Sequence, residues 1–257
     1  MALTTETGSG VLALTPDLAY LRLSIVNVVF YGDPKKGDGW VLIDTGLSTS
    51  RKSIVDAAER RFGPNAKPSA IIMTHGHFDH AGSLEALALH WDVPVYAHPL
   101  EFSYLNGKAS YPPADPFVGG GLMALLSPLF PRSPVNVEPR LKPLPPDQTL
   151  PHMPGWKWLH TPGHAPGHIS LWRETDRTLI SGDAVVTTGQ ESVYEALMQT
   201  PEMHGPPRYF TPDWNAAENS VKLLNALEPE LVISGHGPPV KGAGMRERLR
   251  HLATNLT

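Results

Sequence analysis

The sequence predicts a layered α/β protein, and two observations support that prediction. Between residues 20 and 97, short apolar runs typical of strands alternate with segments in which apolar residues recur at helical spacing. The same alternation returns between residues 156 and 256. With 257 residues, 41% of them hydrophobic, the chain can bury a sizeable core. We expect a single domain over residues 1–257.

The first half predicts a hairpin followed by strand and helix in alternation. Strands are expected at 20–31 and 40–44, joined by the Gly- and Asp-containing turn 32–39. Apolar residues at helical spacing predict a helix at 50–62, which Gly63 and Pro64 end. The remaining elements are a strand at 70–73, a helix at 82–91 and a strand at 93–97.

The second half repeats this style. Strands are predicted at 156–160, 168–173, 178–181 and 231–234. A helix is expected at 212–227, with Thr211 as its N-cap, and a terminal helix at 245–256.

Composition excludes several classes of function. The formal charge of −4 provides no basic field for a polyphosphate backbone, which argues against nucleic-acid binding. The chain has no Cys, so disulfide frameworks, thiolate metal sites and Cys nucleophiles are excluded. No basic leader or long apolar run is present, and we expect a cytoplasmic protein with no membrane partner.

The densest group of potential metal ligands follows the predicted strand at 70–73. The segment His75-Gly76-His77-Phe78-Asp79-His80 contains three His and one Asp in six positions. In an extended loop, alternate residues point the same way, so His75 and His77 can hold one ion. Asp79 and His80 lie where the chain enters the next helix and can face a second ion. We attribute Gly76 to the room that a metal needs.

Three later turns each place a ligand-capable residue after a predicted strand. They are Thr161-Pro162-Gly163-His164, Ser181-Gly182-Asp183-Ala184 and Ser234-Gly235-His236-Gly237. Because α/β proteins build sites at the carboxyl ends of their strands, we expect these turns to converge on one edge. Seven ligands exceed what one tetrahedral ion takes, which favours two metals.

In this order, the motifs HxHxDH, TPGH, SGDA and SGHG resemble the metallo-β-lactamase superfamily, in its glyoxalase II-like branch. The resemblance implies a four-layer αβ/βα sandwich with the metal site at one edge of its two sheets. It also implies that His75, His77 and His164 bind the first metal, that Asp79, His80 and His236 bind the second, and that Asp183 bridges them. Asp44 and His168 would support these ligands through hydrogen bonds.

This resemblance implies a dinuclear metal-dependent hydrolase. A metal-bridging hydroxide would attack a carbonyl substrate of lactone, ester or thioester type. Asp79, beside the bridging water, is expected to carry the proton to the leaving group. Zinc is the first expectation for the two divalent ions, with manganese and iron as alternatives, because His and Asp suit all three.

The segment 101–155 reads as a Pro-rich apolar insertion. Residues 102–135 carry only three formal charges, and the glycines at 119–121 precede an apolar run at 122–127 that we interpret as a short helix. The insertion is expected to act as a lid over the metals or as a homodimer interface. With so few charges nearby, we expect a small neutral or apolar substrate.

Other functions of the same fold remain open. One alternative is a mononuclear iron oxidoreductase similar to sulfur dioxygenases. The others are a phosphodiesterase and a β-lactam hydrolase.

Overall fold

The structure is a computed structural model that describes residues 10–113, 131–132, 134–189 and 202–256. The described chain forms two compact units. The N-terminal unit contains residues 10–111, 132 and 134–154, and the C-terminal unit contains mainly residues 155–189 and 202–256. The predicted α/β class is confirmed, because each unit contains one mixed sheet together with helices.

The sheet of the N-terminal unit has the order β1-β2-β3-β4-β5-β6-β7 among the described residues. Neighbours from β1 to β4 pair antiparallel, and neighbours from β4 to β7 pair parallel. Its strands are β1 Val11–Thr15, β2 Leu18–Leu23, β3 Val26–Tyr31, β4 Val41–Ile43, β5 Ala70–Ile72, β6 Val95–Ala97 and β7 Leu141–Pro143. Its helices are α1 Arg51–Phe62, α2 Phe78–Ala81, α3 Leu84–Trp91 and α4 Phe102–Leu105.

The predicted single strand at 20–31 is wrong. The chain turns at Ser24 and Ile25, and β2 and β3 pair antiparallel on either side with Leu23 opposite Val26. A two-residue turn needs no Gly or Pro here, so the apolar pattern continues across it unbroken. The predicted hairpin between residues 31 and 41 is confirmed, with Tyr31 opposite Val41 in the β3–β4 register.

The core of the N-terminal unit lies between its sheet and the crossover helices. Helix α1 buries Ile54, Ala57 and Ala58, the face that its apolar spacing predicts. The Trp40 ring stacks on Phe62 with ring centroids 4.8 Å apart and meets Trp91 edge-on at 5.6 Å. Parallel strands need such crossovers, and α1 lies between β4 and β5 while α3 lies between β5 and β6.

The sheet of the C-terminal unit has the order β12-β11-β10-β9-β8. Its strands are β8 Trp156–His160, β9 Ile169–Arg173, β10 Thr178–Gly182, β11 Leu231–Ser234 and β12 Val240–Lys241. Its helices are α5 Trp214–Ala226 and α6 Ala243–Thr254. Buried Val221 and Leu224 of α5 and Met245 and Leu249 of α6 pack with Val232 in one apolar cluster.

The N-cap of α5 differs from the prediction. The Asp213 side chain accepts a hydrogen bond from the Ala216 amide at 2.9 Å, so Asp213 caps the helix. Thr211 instead donates its hydroxyl to the Pro207 carbonyl at 2.7 Å.

Within each unit, the directions of the strands determine at which sheet edge the predicted ligands lie. Strands β4, β5 and β6 are parallel neighbours, so the chain segments that follow them emerge at one edge of the N-terminal sheet. In the C-terminal sheet, β8 and β10 both run antiparallel to β9, and β11 runs parallel to β10. The turns that carry His164, Asp183 and His236 therefore follow strands that point the same way.

Much of the predicted insertion lies outside the described residues. The glycines at 119–121 and the apolar run at 122–127 belong to this part, so the lid and the dimer interface remain predictions. In the described chain, no helix has the length and apolar character needed to cross a membrane.

Gly163 allows close packing directly before His164. Its φ is +128°, and a Cβ built there would lie 2.5 Å from the Cα and 2.6 Å from the Cβ of Ala217 in α5. Gly163→Ala is expected to lower the free energy of unfolding by about 2–4 kcal/mol, because backbone strain adds to overpacking. Urea denaturation followed by circular dichroism measures this.

Gly155→Ala is the matched control. Gly155 also has a positive φ of +82°, but no atom lies within 4 Å of its built Cβ. The Gly155→Ala substitution should lower the free energy of unfolding by only about 1 kcal/mol. Equal losses for the two variants would contradict the packing explanation.

Candidate metal centre

The first predicted ligands form what we call the N-terminal ligand cluster: His75, His77, Asp79 and His80. The chain leaves β5, passes His75 and His77 in extended conformation and enters α2 at Phe78. All four side chains are buried. The His75 ring lies 4.7 Å from that of His77 and 4.2 Å from that of His80, measured between ring centroids. His80 Nε2 lies 3.9 Å from Asp79 Oδ2.

Asp44 lies under this cluster, immediately after β4. Its carboxylate accepts hydrogen bonds from the Thr74 amide at 2.8 Å and from the Thr74 hydroxyl at 2.8 Å. Asp44 Oδ2, the oxygen that accepts from the Thr74 hydroxyl, also lies 2.9 Å from His80 Nδ1. Asp44 has a φ of 60°, a conformation that Asp adopts more readily than most residues. These are contacts of the kind predicted for Asp44 from the sequence; its supporting role remains a prediction.

These bonds determine which ring nitrogens carry protons. A carboxylate only accepts, so His80 Nδ1 bears the proton that it shares with Asp44. The single Thr74 hydroxyl proton goes to Asp44, so the hydroxyl oxygen accepts from His75 Nδ1 at 3.0 Å. His75 and His80 are thus both held at Nδ1, and each presents the lone pair of Nε2 for coordination.

The other three ligands form the C-terminal ligand cluster: His164, Asp183 and His236. All three side chains are buried, at 2–3% exposure. One oxygen of Asp183, Oδ2, lies 3.0 Å from His236 Nε2 and 3.5 Å from His164 Nε2. A carboxylate oxygen between two imidazole nitrogens matches the donor set of a divalent cation. The Nδ1 of His164 faces the Thr211 hydroxyl at 3.4 Å.

His168 holds the backbone at Asp183. Its Nε2 accepts a hydrogen bond from the Asp183 amide at 2.9 Å, so the proton of the neutral ring is on Nδ1. That Nδ1 lies 2.9 Å from the Thr161 hydroxyl, which is itself 3.0 Å from the Ser170 hydroxyl. His168 therefore contacts the ligand turn as predicted for a supporting residue, and that role remains a prediction.

Two residues next to the N-terminal ligand cluster were not predicted as site residues. Glu101, which is fully buried, and Tyr111, which is 9% exposed, both bind the Gly76 amide. Burial and the neighbouring Glu101 carboxylate raise the pKa of Tyr111 well above its usual value, so its hydroxyl stays protonated and donates to Glu101. Glu101 follows β6, the parallel neighbour of β5. Its position after a predicted strand is the feature of the sequence that could have indicated a place near the ligand loop.

Gly76 lies close to the ends of three side chains. A Cβ at this position would lie 3.1 Å from Tyr111 Oη, 3.2 Å from Leu105 Cδ2 and 3.4 Å from Glu101 Oε2. A side chain at position 76 would therefore need these side-chain ends to shift by a few tenths of an ångström, and the room for a metal remains a prediction.

The chemistry of both clusters fits divalent metal ions. Each of the seven predicted ligands belongs to a group of buried His and Asp side chains that could hold an ion. Neutral imidazoles and carboxylates are ligands that zinc, manganese and iron accept.

Comparisons with known proteins agree with this chemistry. A family model described as the Metallo-beta-lactamase superfamily matches residues 21–236. The chain is 47% identical over 237 residues to the probable metallo-hydrolase YflN of Bacillus subtilis (strain 168), and the match covers 92% of this chain and 90% of YflN.

Solved structures show the same architecture. TTHA1623 in a di-iron-bound form is 27% identical, with a TM-score of 0.55, and the match covers 86% of this chain and 92% of TTHA1623. A beta-lactamase domain protein from Burkholderia ambifaria is 23% identical, with a TM-score of 0.66, covering 98% of this chain and 77% of that protein. The second likeness concerns the fold alone.

Asp44→Asn tests the support of the N-terminal ligand cluster. The amide nitrogen of Asn cannot accept from Thr74 or His80, and Asn tolerates the backbone conformation of Asp44. We expect metal affinity to fall roughly 10–100-fold, the usual cost of losing a residue that orients a ligand. Competition against a chromophoric chelator measures the affinity.

Asp92→Asn is the control for this substitution. Asp92 has a similar φ of 49°, but its side chain is 78% exposed. The metal affinity of Asp92→Asn should equal that of the unmodified protein. An Asp44→Asn variant that is indistinguishable from Asp92→Asn would show that Asp44 does not orient the ligands.

Proposed function

The chain belongs to the metallo-beta-lactamase superfamily and is a metal-dependent hydrolase, and on that premise we propose that it is a dinuclear enzyme of the glyoxalase II-like branch. The observation that carries this proposal is the number and chemistry of the ligands. Seven buried His and Asp side chains form two clusters, which is more than one tetrahedral ion takes. The order of the ligand motifs along the chain supports the assignment to this branch.

In this proposal, both ligand clusters contribute to each metal site. As the family resemblance implies, His75, His77 and His164 would hold one ion, Asp79, His80 and His236 would hold the other, and Asp183 would serve both. The hydrogen bonds at the Nδ1 atoms of His75 and His80 support coordination through Nε2. The approach of two imidazoles to Asp183 Oδ2 supports its bridging position.

When bound, two such ions supply a hydroxide nucleophile near neutral pH and polarise the carbonyl oxygen of the substrate. The side chains of the protein perform the remaining steps. Asp79, whose side chain is 12% exposed, accepts a proton at its carboxylate and delivers it to the leaving group. Asp44 and His168 keep the ligands oriented while this proton moves.

Zinc is the first choice for both ions, with manganese and iron as alternatives. All seven ligands offer nitrogen or oxygen, and the chain has no Cys to add thiolate. The di-iron form of TTHA1623, which is 27% identical, supports keeping iron as an alternative. An enzyme with one iron that consumes oxygen is the competing function.

The proposed substrate is a small neutral or apolar lactone, ester or thioester. The low charge of residues 102–135 supports this choice over nucleic acids or other polyanions. The apolar composition of the segment 101–155 is also the basis for proposing that it forms a lid or a homodimer interface.

The test combines metal analysis with a hydrolysis screen. We expect about two zinc or manganese ions per chain and turnover of a lactone, ester or thioester. His75→Ala and His236→Ala, one from each cluster, should each lose metal and reduce turnover at least about 100-fold. Mass spectrometry of the metals and a panel that also includes β-lactams and phosphodiesters provide the measurements.

His90→Ala is the control, because His90 is exposed on α3 and belongs to neither cluster. One iron per chain with oxygen consumption would favour the competing oxidoreductase. Best turnover of phosphodiesters would contradict the proposed substrate class.

Asp79→Asn tests the proton carrier separately. Asn has a carboxamide oxygen that can still approach a metal but cannot carry the proton. We expect kcat to fall roughly 10²–10⁴-fold in protein that keeps its metal, the range typical of lost acid–base catalysis. The loss should be smaller for substrates with better leaving groups, because they need less help from a proton. A variant that keeps both metals and full turnover would remove Asp79 from this role.

A further inference from the structure

We propose that Glu101 and Tyr111 are positioning residues that fix the two histidines of the HxH motif through the backbone amide between them. The inference rests on the proposed metal binding by His75 and His77. It adds two residues outside the ligand motifs to the machinery of the site.

The contacts converge on one peptide group. The Gly76 amide donates to Glu101 Oε2 at 2.9 Å and to Tyr111 Oη at 3.0 Å. The Tyr111 hydroxyl in turn donates to the same Glu101 oxygen. Because His75 and His77 are the two chain neighbours of Gly76, a rotation of this peptide would move both imidazoles.

Tyr111 also contacts one of the ligands directly. Its ring lies 4.2 Å from the His77 ring, and on its other side it stacks on Tyr104 with centroids 3.8 Å apart and planes 14° apart. One residue thus restrains His77 through its ring and through the preceding amide.

Glu101 and Asp44 approach the ligand loop from opposite sides of β5. Strands β4, β5 and β6 are parallel neighbours with β5 in the centre. Asp44 follows β4, the ligand loop follows β5, and Glu101 ends the 3-10 turn Pro99–Glu101 that follows β6. Asp44 binds Thr74 and Glu101 binds Gly76, so the backbone on both sides of His75 is tied to a carboxylate.

A buried carboxylate has a large desolvation cost unless donors surround it. Glu101 is 0% exposed, and a residue needed only for packing at this site could be apolar. Glu101 Oε2 instead accepts from an amide of the ligand loop and from the Tyr111 hydroxyl, and a hydrogen bond to a carboxylate is stronger than one between neutral groups.

The experiment compares Glu101→Gln and Tyr111→Phe by metal affinity and, separately, by the stability of the metal-free protein. Zinc affinity is measured by competition with a chromophoric chelator, and thermal unfolding is followed on the same metal-free samples. We expect zinc affinity to fall roughly 10–100-fold for Glu101→Gln and by a smaller factor for Tyr111→Phe, which keeps the ring stack. The visible spectrum of cobalt-loaded protein should also change, because it reports ligand geometry.

Two control substitutions match these variants. Tyr104→Phe removes the hydroxyl of the neighbouring stacked ring, which is not one of the two groups that bind Gly76. Glu138→Gln removes an exposed carboxylate that pairs with Lys108 in the same unit. Both should keep the zinc affinity and the cobalt spectrum of the unmodified protein.

The outcomes separate the inference from the proposed function. Unchanged zinc affinity and cobalt spectrum in both variants would overturn the inference, even if their unfolding temperatures fall, because the residues would then serve stability alone. If Glu101→Gln does not fold, Tyr111→Phe decides by the same criteria. If the unmodified protein binds no metal, the proposed function fails, and the inference that rests on it fails too.

Discussion

Three hydrogen bonds beside the N-terminal ligand cluster converge on the buried carboxylate of Asp44. It accepts from the Thr74 amide, from the Thr74 hydroxyl and from His80 Nδ1, and through Thr74 it also determines the protonated nitrogen of His75. One carboxylate therefore contacts His80 directly and His75 through Thr74, and we expect it to orient both imidazoles. His168 performs a related task at Asp183, but as a neutral acceptor of a backbone amide. In both clusters, a buried polar group outside the predicted ligand set is hydrogen-bonded to a predicted ligand, as expected of buried polar atoms, which need partners.

Local periodicity predicted most elements, because the apolar faces of helices and buried strands repeat within a few residues. It missed the strands β1, β7 and β12 and the four-residue helices α2 and α4. Strands β7 and β12 have two or three residues each, and none of their side chains is buried, so they lack the apolar run that signals a strand. The N-cap at Asp213 was missed by two positions because Thr211 and Asp213 are both acceptable capping residues. Packing selects between them, since the Thr211 hydroxyl is engaged by the Pro207 carbonyl.

The ligand motifs could be identified from the sequence because their residues lie within six positions or in short Gly-containing turns. Glu101 and Tyr111 were not, because they contact Gly76 across 25 and 35 positions of the chain. No periodicity links such positions. The apolar composition around Tyr111 predicted a lid or a homodimer interface, and it gave no indication that Glu101 and Tyr111 bind the ligand loop. Only the parallel pairing of β5 with β6 brings Glu101 to that edge.

The tight contacts around Gly76 have an evolutionary consequence. A side chain at position 76 would have to share space with Tyr111, Leu105 and Glu101. We therefore expect these four positions to covary among relatives, because any side chain larger than a methyl at position 76 needs residue 111, 105 or 101 to be smaller or to move. On this expectation, the ligand loop restricts which residues can follow β6, even at positions that carry no predicted ligand.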